Sequence, residues 1–350
     1  MNQIEIDGRY VGEGKSCFII AEAGVNHNGS LDCAKKLIDT AKWAGADAVK
    51  FQIFKAEDIA IPQAKKAEYQ KNTTSRDESQ FDMIKRLELS EDEFRHLANY
   101  AKERNILFLS TPFSISSVNL LEEMNVSAYK IASGEITNYP LLEHIARKGK
   151  PIILSTGMCT LEEIGEALKI INEAGEKRVI LLHCVTSYPV KIDEINLKAI
   201  ETIRNAFKQP VGLSDHTLGK TSSIAAVAMG ACTIEKHFTL CRNLPGPDHK
   251  ASLEPIELKE LIGAIRDVER AMGNGIKKPT LEEEKIKMTV RKSLVAAIEI
   301  PKDSKITQEM IGIKRPGTGI APKNLMSVIG KRAKIDIQKD SLITWDAIAE

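Results

Sequence analysis

Apolar and polar positions follow two rhythms along this chain, and the chain switches between them again and again. Short, β-rich, near-continuously apolar runs occupy 17–24, 48–54, 107–113, 128–135, 151–158, 179–185, 211–216 and 232–238. Between most of them lie longer stretches whose apolar residues recur every three to four positions, the period of a helix with one buried face. Ser90 with Glu93, and Thr160 with Glu163, make capping boxes at the starts of two such stretches, and Gly45 and Gly175 stand where helices should stop. Strands apolar on both faces, alternating with helices, predict a parallel sheet covered on both sides. Eight such units in roughly 260 residues fit an α/β fold of the (β/α)8 TIM barrel type. A doubly wound open sheet is the alternative. No GxGxxG follows the first strand, which weighs against a dinucleotide-binding version of it.

The remaining stretches break the repeat. "IEIDGRYVG" near the N-terminus reads as a hairpin turning at Asp7-Gly8, placed to plug the bottom of a barrel. The excursion Lys55–Ser79 is long and polar, in the manner of a lid or binding segment. After about residue 272 the texture changes. A charged, loosely patterned linker is expected over 274–290, and short strands and turns dominate 291–350. The expected division is therefore a catalytic barrel with its hairpin over 1–273, the linker, and a small β-rich domain over 291–350.

Composition narrows the partners. The chain has 350 residues, of which 43% are hydrophobic and 28% charged, and a net charge of +1. That balance allows a large core and gives no general attraction to nucleic acid or to anionic membranes. The longest apolar stretch, near 224–234, is too short to span a bilayer, and "MNQIEIDGRY" holds no apolar signal core. The six cysteines (Cys17, Cys33, Cys159, Cys184, Cys232 and Cys241) show no CxxC pairing, so reduced core thiols in a cytoplasmic protein are expected.

Chemistry gathers at the C-terminal ends of the predicted strands, the face on which barrel enzymes build their sites. Those ends carry Glu22; Lys50 and Gln52; Ser110 and Thr111; Lys130, Ser133 and Glu135; Ser155 and Thr156; His183, Cys184, Thr186 and Tyr188; Ser214, Asp215 and His216; and Glu235, Lys236 and His237. Any one of them reads as well as a helix cap or a surface charge; the concentration at one rim is the signal. His216 and His237, on adjacent strands, are too few for a closed zinc site but suit an open one, completed by water and substrate oxygens around Mn2+ or Mg2+. Lys50 and Lys130, with Ser133, Ser155 and Ser214, could hold a phosphate and a carboxylate. Period-two alternation puts Glu235 on the face of His237, one layer deeper, where it needs a partner such as another strand's lysine or an imidazole. The same alternation points Lys236 toward the helices. Two chemistries stay open: a metal-assisted condensation on a phosphorylated anion, or a Schiff-base aldolase with Lys50 or Lys130 as nucleophile.

In order along the chain, "IAEAGVNHNGS", "AVKFQ", "STPF", "YKIASGEITNYPLL", "ILSTGM", "LLHC", "GLSDHT", "IEKHFTL" and "GPDHKASLEP", then "RKSLVA" and "KRPGTGI", resemble the sialic acid synthases. These are phosphoenolpyruvate-dependent enzymes with an antifreeze-like (SAF) C-terminal domain, and the resemblance covers essentially the whole chain. It implies a barrel that condenses phosphoenolpyruvate with the open-chain aldehyde of an N-acyl mannosamine, releasing phosphate by C–O cleavage. It implies a divalent metal on His216 and His237 and a phosphoenolpyruvate site at Lys50, Lys130, Ser133, Ser155, Thr186 and Ser214. Glu22 matches a carboxylate placed beside the reacting carbons, and Glu135, Tyr188 and Asp248 match sugar-pocket residues. Arg315 matches an arginine that reaches the sugar's N-acyl group from the second subunit of a domain-swapped homodimer. "HCVTSYP" departs from the Asn or Thr-Glu expected in many relatives around Thr186–Ser187. "ASGE" and "GPDHKASLEP" look like the sialic or legionaminic branch rather than the pseudaminic one.

The leading expectation is thus N-acetylneuraminate synthase, acting on N-acetylmannosamine. Legionaminic acid synthase, acting on a 2,4-diacetamido-2,4,6-trideoxymannose, comes next, with pseudaminic acid synthase and a Schiff-base sialic acid lyase behind. A non-enzymatic protein using its antifreeze-like domain to bind ice or glycan leaves the rim unexplained.

Overall fold

A short antiparallel hairpin, Gln3–Ile6 paired with Arg9–Gly12, opens the chain and turns at Asp7-Gly8, as the sequence predicts. Both turn residues take positive φ, 52° and 75°, which a tight hairpin turn of this kind requires. Ile4, Ile6 and Val11 pack against Phe18, Ile20, Leu109, Ile153, Ile180 and Leu182, so the hairpin closes one end of the structure that follows. The computed structural model describes residues 3–71, 73–75 and 77–349, and it divides into two units, Met1–Gly273 and Asn274–Glu350.

In the first unit eight strands form one parallel sheet: β1 (Phe18–Gly24), β2 (Ala48–Ile53), β3 (Leu107–Pro112), β4 (Tyr129–Ile131), β5 (Ile152–Ser155), β6 (Val179–Cys184), β7 (Val211–Asp215) and β8 (Thr233–His237). Their order is β3-β2-β1-β8-β7-β6-β5-β4, and the two edge strands, β3 and β4, lie against each other, so the sheet is a near-closed barrel. Helices fill the connections. Leu31–Ala44 is capped by Ser30 and stopped at Gly45, whose φ is 92°. Glu91–Glu103 and Leu161–Glu173 start at the capping boxes read from the sequence, with both reciprocal bonds formed.

Two apolar cores result. One lies between strands and helices; the other is the barrel interior above the hairpin. Gly212 shows how tight the interior is: a Cβ there would come within 2.3 Å of the Thr233 carbonyl, so only glycine lets β7 and β8 approach. Two strands end well short of their apolar runs. β4 ends at Ile131 and passes into a 3-10 turn, Ser133–Glu135, and β5 ends at Ser155, before Met158 takes a left-handed φ of 64°.

The segment read as a linker carries a helix, Leu281–Val290, with a capping box at Thr280 and Glu283 and no buried residue. Beyond it, Ser293–Ala296 pairs antiparallel with Ile311–Lys314 around a small core that includes Leu294, Ile300, Ile306, Ile320 and Ile343.

Candidate active site

At the C-terminal ends of the strands the barrel interior changes from apolar to charged. Register fixes where. His237 of β8 lies opposite Glu22 of β1, Glu22 opposite Lys50 of β2, and Glu235 of β8 opposite Ser214 of β7. In a parallel pair, partners in register point to the same side, so these groups converge. β1 bulges between Glu22 and Gly24, and a Cβ on Gly24 would stand 3.2 Å from Glu22 Oε1 and 3.4 Å from the His237 ring. Glycine there lets the chain turn away without crowding either side chain.

The converging groups form one buried network. Lys50 Nζ lies 2.8 Å from Glu22 Oε2 and 3.6 Å from Glu235 Oε2, and donates to Thr111 Oγ1 at 2.9 Å. Lys130 Nζ lies 3.6 Å from Glu235 Oε1 and donates to Ser155 Oγ at 2.7 Å. Ser214 Oγ donates to Glu235 Oε1 at 2.8 Å. Glu235 therefore bridges the two lysines, which supplies the partner that strand alternation demanded.

The two carboxylates differ in proton affinity. Burial raises Glu22, with Lys50 only partly offsetting it. Burial acts on Glu235 too, but Lys130 and Lys50 together outweigh it and hold that carboxyl well below its usual range. The lysines diverge in the same way: burial lowers Lys130, whereas at Lys50 the charges of Glu22 and Glu235 outweigh burial and raise it. Asp248, pushed up to about 6 by burial and by the charge of Glu22, completes the acidic groups.

The two imidazoles sit together, ring centroids 5.4 Å apart, with Tyr188 4.1 Å from His216 and 5.6 Å from His237. His216 Nδ1 is 2.8 Å from the Val185 carbonyl, which can only accept, so Nδ1 carries the proton and neutral His216 offers Nε2 as a lone pair. His237 Nδ1 is buried without a hydrogen-bond partner. Among the described residues no three His, Cys, Asp or Glu side chains converge as a ready-made ligand set. A ring nitrogen fixed as an acceptor beside an orphaned one fits an open divalent site on His216 and His237, completed by water or substrate oxygen.

The network is the floor of a cavity of about 270 Å3. Of the residues picked out in the sequence, Glu22, Lys50, Lys130, Ser133, Ser155, Thr186, Tyr188, Ser214, His216, His237 and Asp248 all line it. Gly157 makes room for two of them: its N–H donates to Ser133 Oγ at 2.8 Å, and a Cβ there would meet Thr186 Oγ1 at 2.2 Å. Asp248 sits on a loop held from both sides. Ser252 Oγ donates to its carbonyl at 2.7 Å, and His249 Nδ1 and Nε2 bond Thr239 Oγ1 at 2.7 Å and Asn28 Oδ1 at 3.2 Å.

Two of the picked residues lie elsewhere. Glu135 is half-buried in the 3-10 turn after β4 and accepts from Asn138 Nδ2 at 2.7 Å; it is not among the cavity-lining residues. Arg315 is exposed in the second unit, where its Nε donates to the Val290 carbonyl at 3.0 Å. His183 of the strand-end group turns its Nε2 to the Ile195 carbonyl, 2.7 Å away, and takes no part in the cavity. Gln52, Thr111, Cys184 and Glu235, named at the strand ends in the sequence but given no binding or catalytic role there, also line it. The signal for Gln52 was in the sequence, two positions beyond Lys50 on the same face. The apolar side of the cavity, from Val25, Phe54, Ile59, Met83, Ile84, Leu87 and Phe113, had no such signal, because three separate connections build it.

Comparison with known proteins bears on the family and the fold. Residues 37–277 match the NeuB family and residues 291–349 the SAF domain. The chain is 52% identical over 331 residues to the N,N'-diacetyllegionaminic acid synthase of Campylobacter jejuni, covering 94% of this chain and 99% of that protein. It is 45% identical over 341 residues to the enzyme of the same name from Legionella pneumophila, covering 96% of each. Among solved structures, the N-acetylneuraminic acid (sialic acid) synthetase of Leptospira borgpetersenii, in complex with citrate, superposes with a TM-score of 0.72 at 36% identity, covering 81% of this chain and 94% of that one.

Proposed function

The chain belongs to the sialic acid synthase family, and we propose that it condenses phosphoenolpyruvate with an N-acylated amino sugar to give a nine-carbon 2-keto acid and phosphate. The observation that carries this reading is the cavity floor: two buried lysines and a set of hydroxyls beside two imidazoles. Lys50, Lys130, Ser133, Ser155, Thr186 and Ser214 bind the phosphate and carboxylate of phosphoenolpyruvate. The lysines act as point charges and the hydroxyls as donors.

The sugar is the finer question. The sequence alone puts N-acetylmannosamine first. Identities of 52% and 45% to two diacetyllegionaminic acid synthases, against 36% to an N-acetylneuraminic acid synthetase, favour a 2,4-diacetamido-2,4,6-trideoxymannose instead. N-acetylmannosamine is the second reading.

C3 of phosphoenolpyruvate bonds to the aldehyde carbon, the aldehyde oxygen takes a proton, water adds at C2 and the C2–O bond to phosphate breaks. Glu22, raised by burial, is the proton carrier beside the reacting carbons. Glu235, held ionised between Lys50 and Lys130, keeps both ammonium groups aimed at the anion. Its lowered proton affinity and the raised one of Glu22 divide the two roles. A divalent ion such as Mn2+ or Mg2+ on His216 and His237 supplies Lewis-acid polarisation of the aldehyde. Tyr188 and Asp248 hold the sugar from the cavity wall, whereas Glu135, in the turn after β4, lies outside the cavity lining and takes no part in this reading. Arg315 reaches the N-acyl group from the second subunit of a swapped homodimer. Six free cysteines fit a cytoplasmic location, and no described helix is long and apolar enough to cross a membrane.

The test is phosphate release from purified protein, phosphoenolpyruvate and Mn2+ with each candidate sugar in turn. Release with the trideoxy sugar, lost in EDTA and regained with Mn2+, supports the reading. Borohydride trapping of a lysine with pyruvate, and no phosphate release with any sugar, would replace it with a Schiff-base lyase.

A further inference from the structure

The two imidazoles stand one residue beyond the last pair of their strands. β7 and β8 are in register from Leu213 opposite Ile234 to Asp215 opposite Lys236, and His216 and His237 come next. Each histidine is held from its far side. The His216 carbonyl accepts from the Val190 N–H at 2.9 Å and its ring bonds the Val185 carbonyl, both in the connection after β6. His237 is paired with Glu22 of β1, and its carbonyl accepts from the Leu253 N–H at 2.9 Å. Between the two strand ends, on the helix side of the wall, the Lys236 side chain carries the connection onward. Its Nζ lies 2.9 Å from Asp215 Oδ2 and donates to the Thr217 carbonyl at 2.6 Å. Asp215 Oδ1 in turn accepts from the Thr217 N–H at 2.8 Å and from Thr217 Oγ1 at 2.7 Å. One lysine, next to His237 in the chain, thus grips the residues on both sides of His216.

We propose that Lys236 is a positioning residue for the divalent ion: through Asp215 and the Thr217 carbonyl it sets how far apart, and at what angle, the His216 and His237 imidazoles stand. The inference rests on the condensing-enzyme reading with its open two-histidine site. In such a site the protein supplies two ligands, and water or substrate oxygens supply the rest. Among the described residues no third His, Cys, Asp or Glu completes a ligand set, so no further side chain holds the ion if the two rings drift apart. Affinity then follows their separation closely. The His237 ring does not anchor itself, because its Nδ1 has no hydrogen bond. Its place is set by the backbone that Lys236 ties to β7. A buried lysine–carboxylate pair that serves stability alone can be exchanged for two neutral side chains with little loss. A pair that also sets the imidazoles cannot, because the grip on Thr217 goes with the lysine.

The experiment titrates the intact, metal-free protein with Mn2+ and reads free Mn2+ by electron paramagnetic resonance. Lys236→Met/Asp215→Asn removes the grip without stranding a charge, and Lys236→Leu/Asp215→Asn repeats the test with a different shape if the first fails to fold. Ser223→Ala is the control: Ser223 Oγ donates to Asp215 Oδ2 at 2.6 Å, so its loss weakens the same carboxylate's bonding and leaves the grip of Lys236 on Thr217 intact. The expected result is a Mn2+ Kd raised about 10- to 100-fold in the double variants and less than about threefold in Ser223→Ala. Urea unfolding of the double variants should stay close to wild type, and their stabilisation by phosphoenolpyruvate should be unchanged. An unaltered Mn2+ Kd in a folded double variant overturns the inference and leaves the outer pair purely structural. So does an equal loss in Ser223→Ala, which would make the effect one of general packing. Wild type that binds no Mn2+, or binds it equally well after His237→Ala, is the separate failure of the two-histidine metal reading, and the inference falls with it.

Discussion

Two buried lysine–carboxylate networks share strands β7 and β8, one on each side of the barrel wall, and they are built to opposite rules. Outside, Lys236 Nζ lies 2.9 Å from Asp215 Oδ2 and donates to the Thr217 carbonyl at 2.6 Å. Asp215 also accepts from the Thr217 N–H at 2.8 Å, from Thr217 Oγ1 at 2.7 Å and from Ser223 Oγ at 2.6 Å. Both side chains are fully buried, and both oxygens of the carboxylate are hydrogen-bonded. Inside, Lys50, Lys130, Glu22 and Glu235 are just as deep, but Glu22 Oε2 and Glu235 Oε2 meet only the Lys50 ammonium, at 2.8 and 3.6 Å, His237 Nδ1 lacks a hydrogen bond, and the group faces a cavity. Polar groups that are buried and unsatisfied cost stability unless something arrives to satisfy them. The outer network is complete without a ligand; the inner one is arranged for one.

Substitutions should separate the two. The largest effect is expected inside. His237→Ala should lower metal-dependent kcat by about 10,000-fold, equivalent to about 5.4 kcal/mol of barrier, with little change in the thermal unfolding midpoint. Near-normal turnover without added metal would remove the metal assignment. Outside, Lys236→Met strands the Asp215 charge and should cost about 3–5 kcal/mol in urea unfolding, while adding Asp215→Asn should recover most of it. If Lys236→Met alone were neutral, the outer pair would not be the closed structural unit its bonds describe.

A ligand should sharpen the contrast further. Phosphoenolpyruvate at about 100 times its Kd should stabilise wild type by about 2.7 kcal/mol. Lys236→Met should keep that increment, because the outer pair never meets the ligand. Lys130→Met should lose it. Thermal shifts with and without phosphoenolpyruvate decide the matter, and an increment lost in both variants would mean that the two networks are coupled through the wall.

The outer and inner faces were not equally legible from sequence. The eight strands, the two capping boxes and the hairpin turn each rest on local patterns, and all of them formed. Alternation along β8 sorted Glu235 and His237 from Lys236 without any tertiary information. What escaped depends on contacts between distant segments. Asp215 as the mate of Lys236 needs the β7–β8 register. Glu135 reads as the end of a strand, but β4 stops at Ile131 and the 3-10 turn carries Glu135 away from the cavity lining. The apolar wall draws on Met83, Ile84 and Leu87, just past a stretch read as polar, and on Val25 and Phe113 from other connections. The helix Leu281–Val290 hid in a charged segment because none of its residues is buried, so it left no apolar stripe of the kind a buried face imposes.

The smallest expected effect lies at the edge of the inner network, where Asp248 joins the cavity. Its folded pKa of about 6 exceeds that of a carboxyl in an unfolded chain, about 3.9. Between those values the folded state holds a proton that the unfolded state has released. This group's contribution is therefore fully present below about pH 4 and is lost as pH rises through 6, with a slope of at most about 1.4 kcal/mol per pH unit. Asp248→Asn should abolish that slope in urea unfolding measured from pH 4 to 7. It should also flatten the acid side of the pH profile of kcat/KM for the sugar, since ionised Asp248 is the form that accepts from hydroxyls. If Asp248→Asn left both slope and profile unchanged, the proton would belong to another group of the inner network, and Asp248 would lose its place beside the sugar.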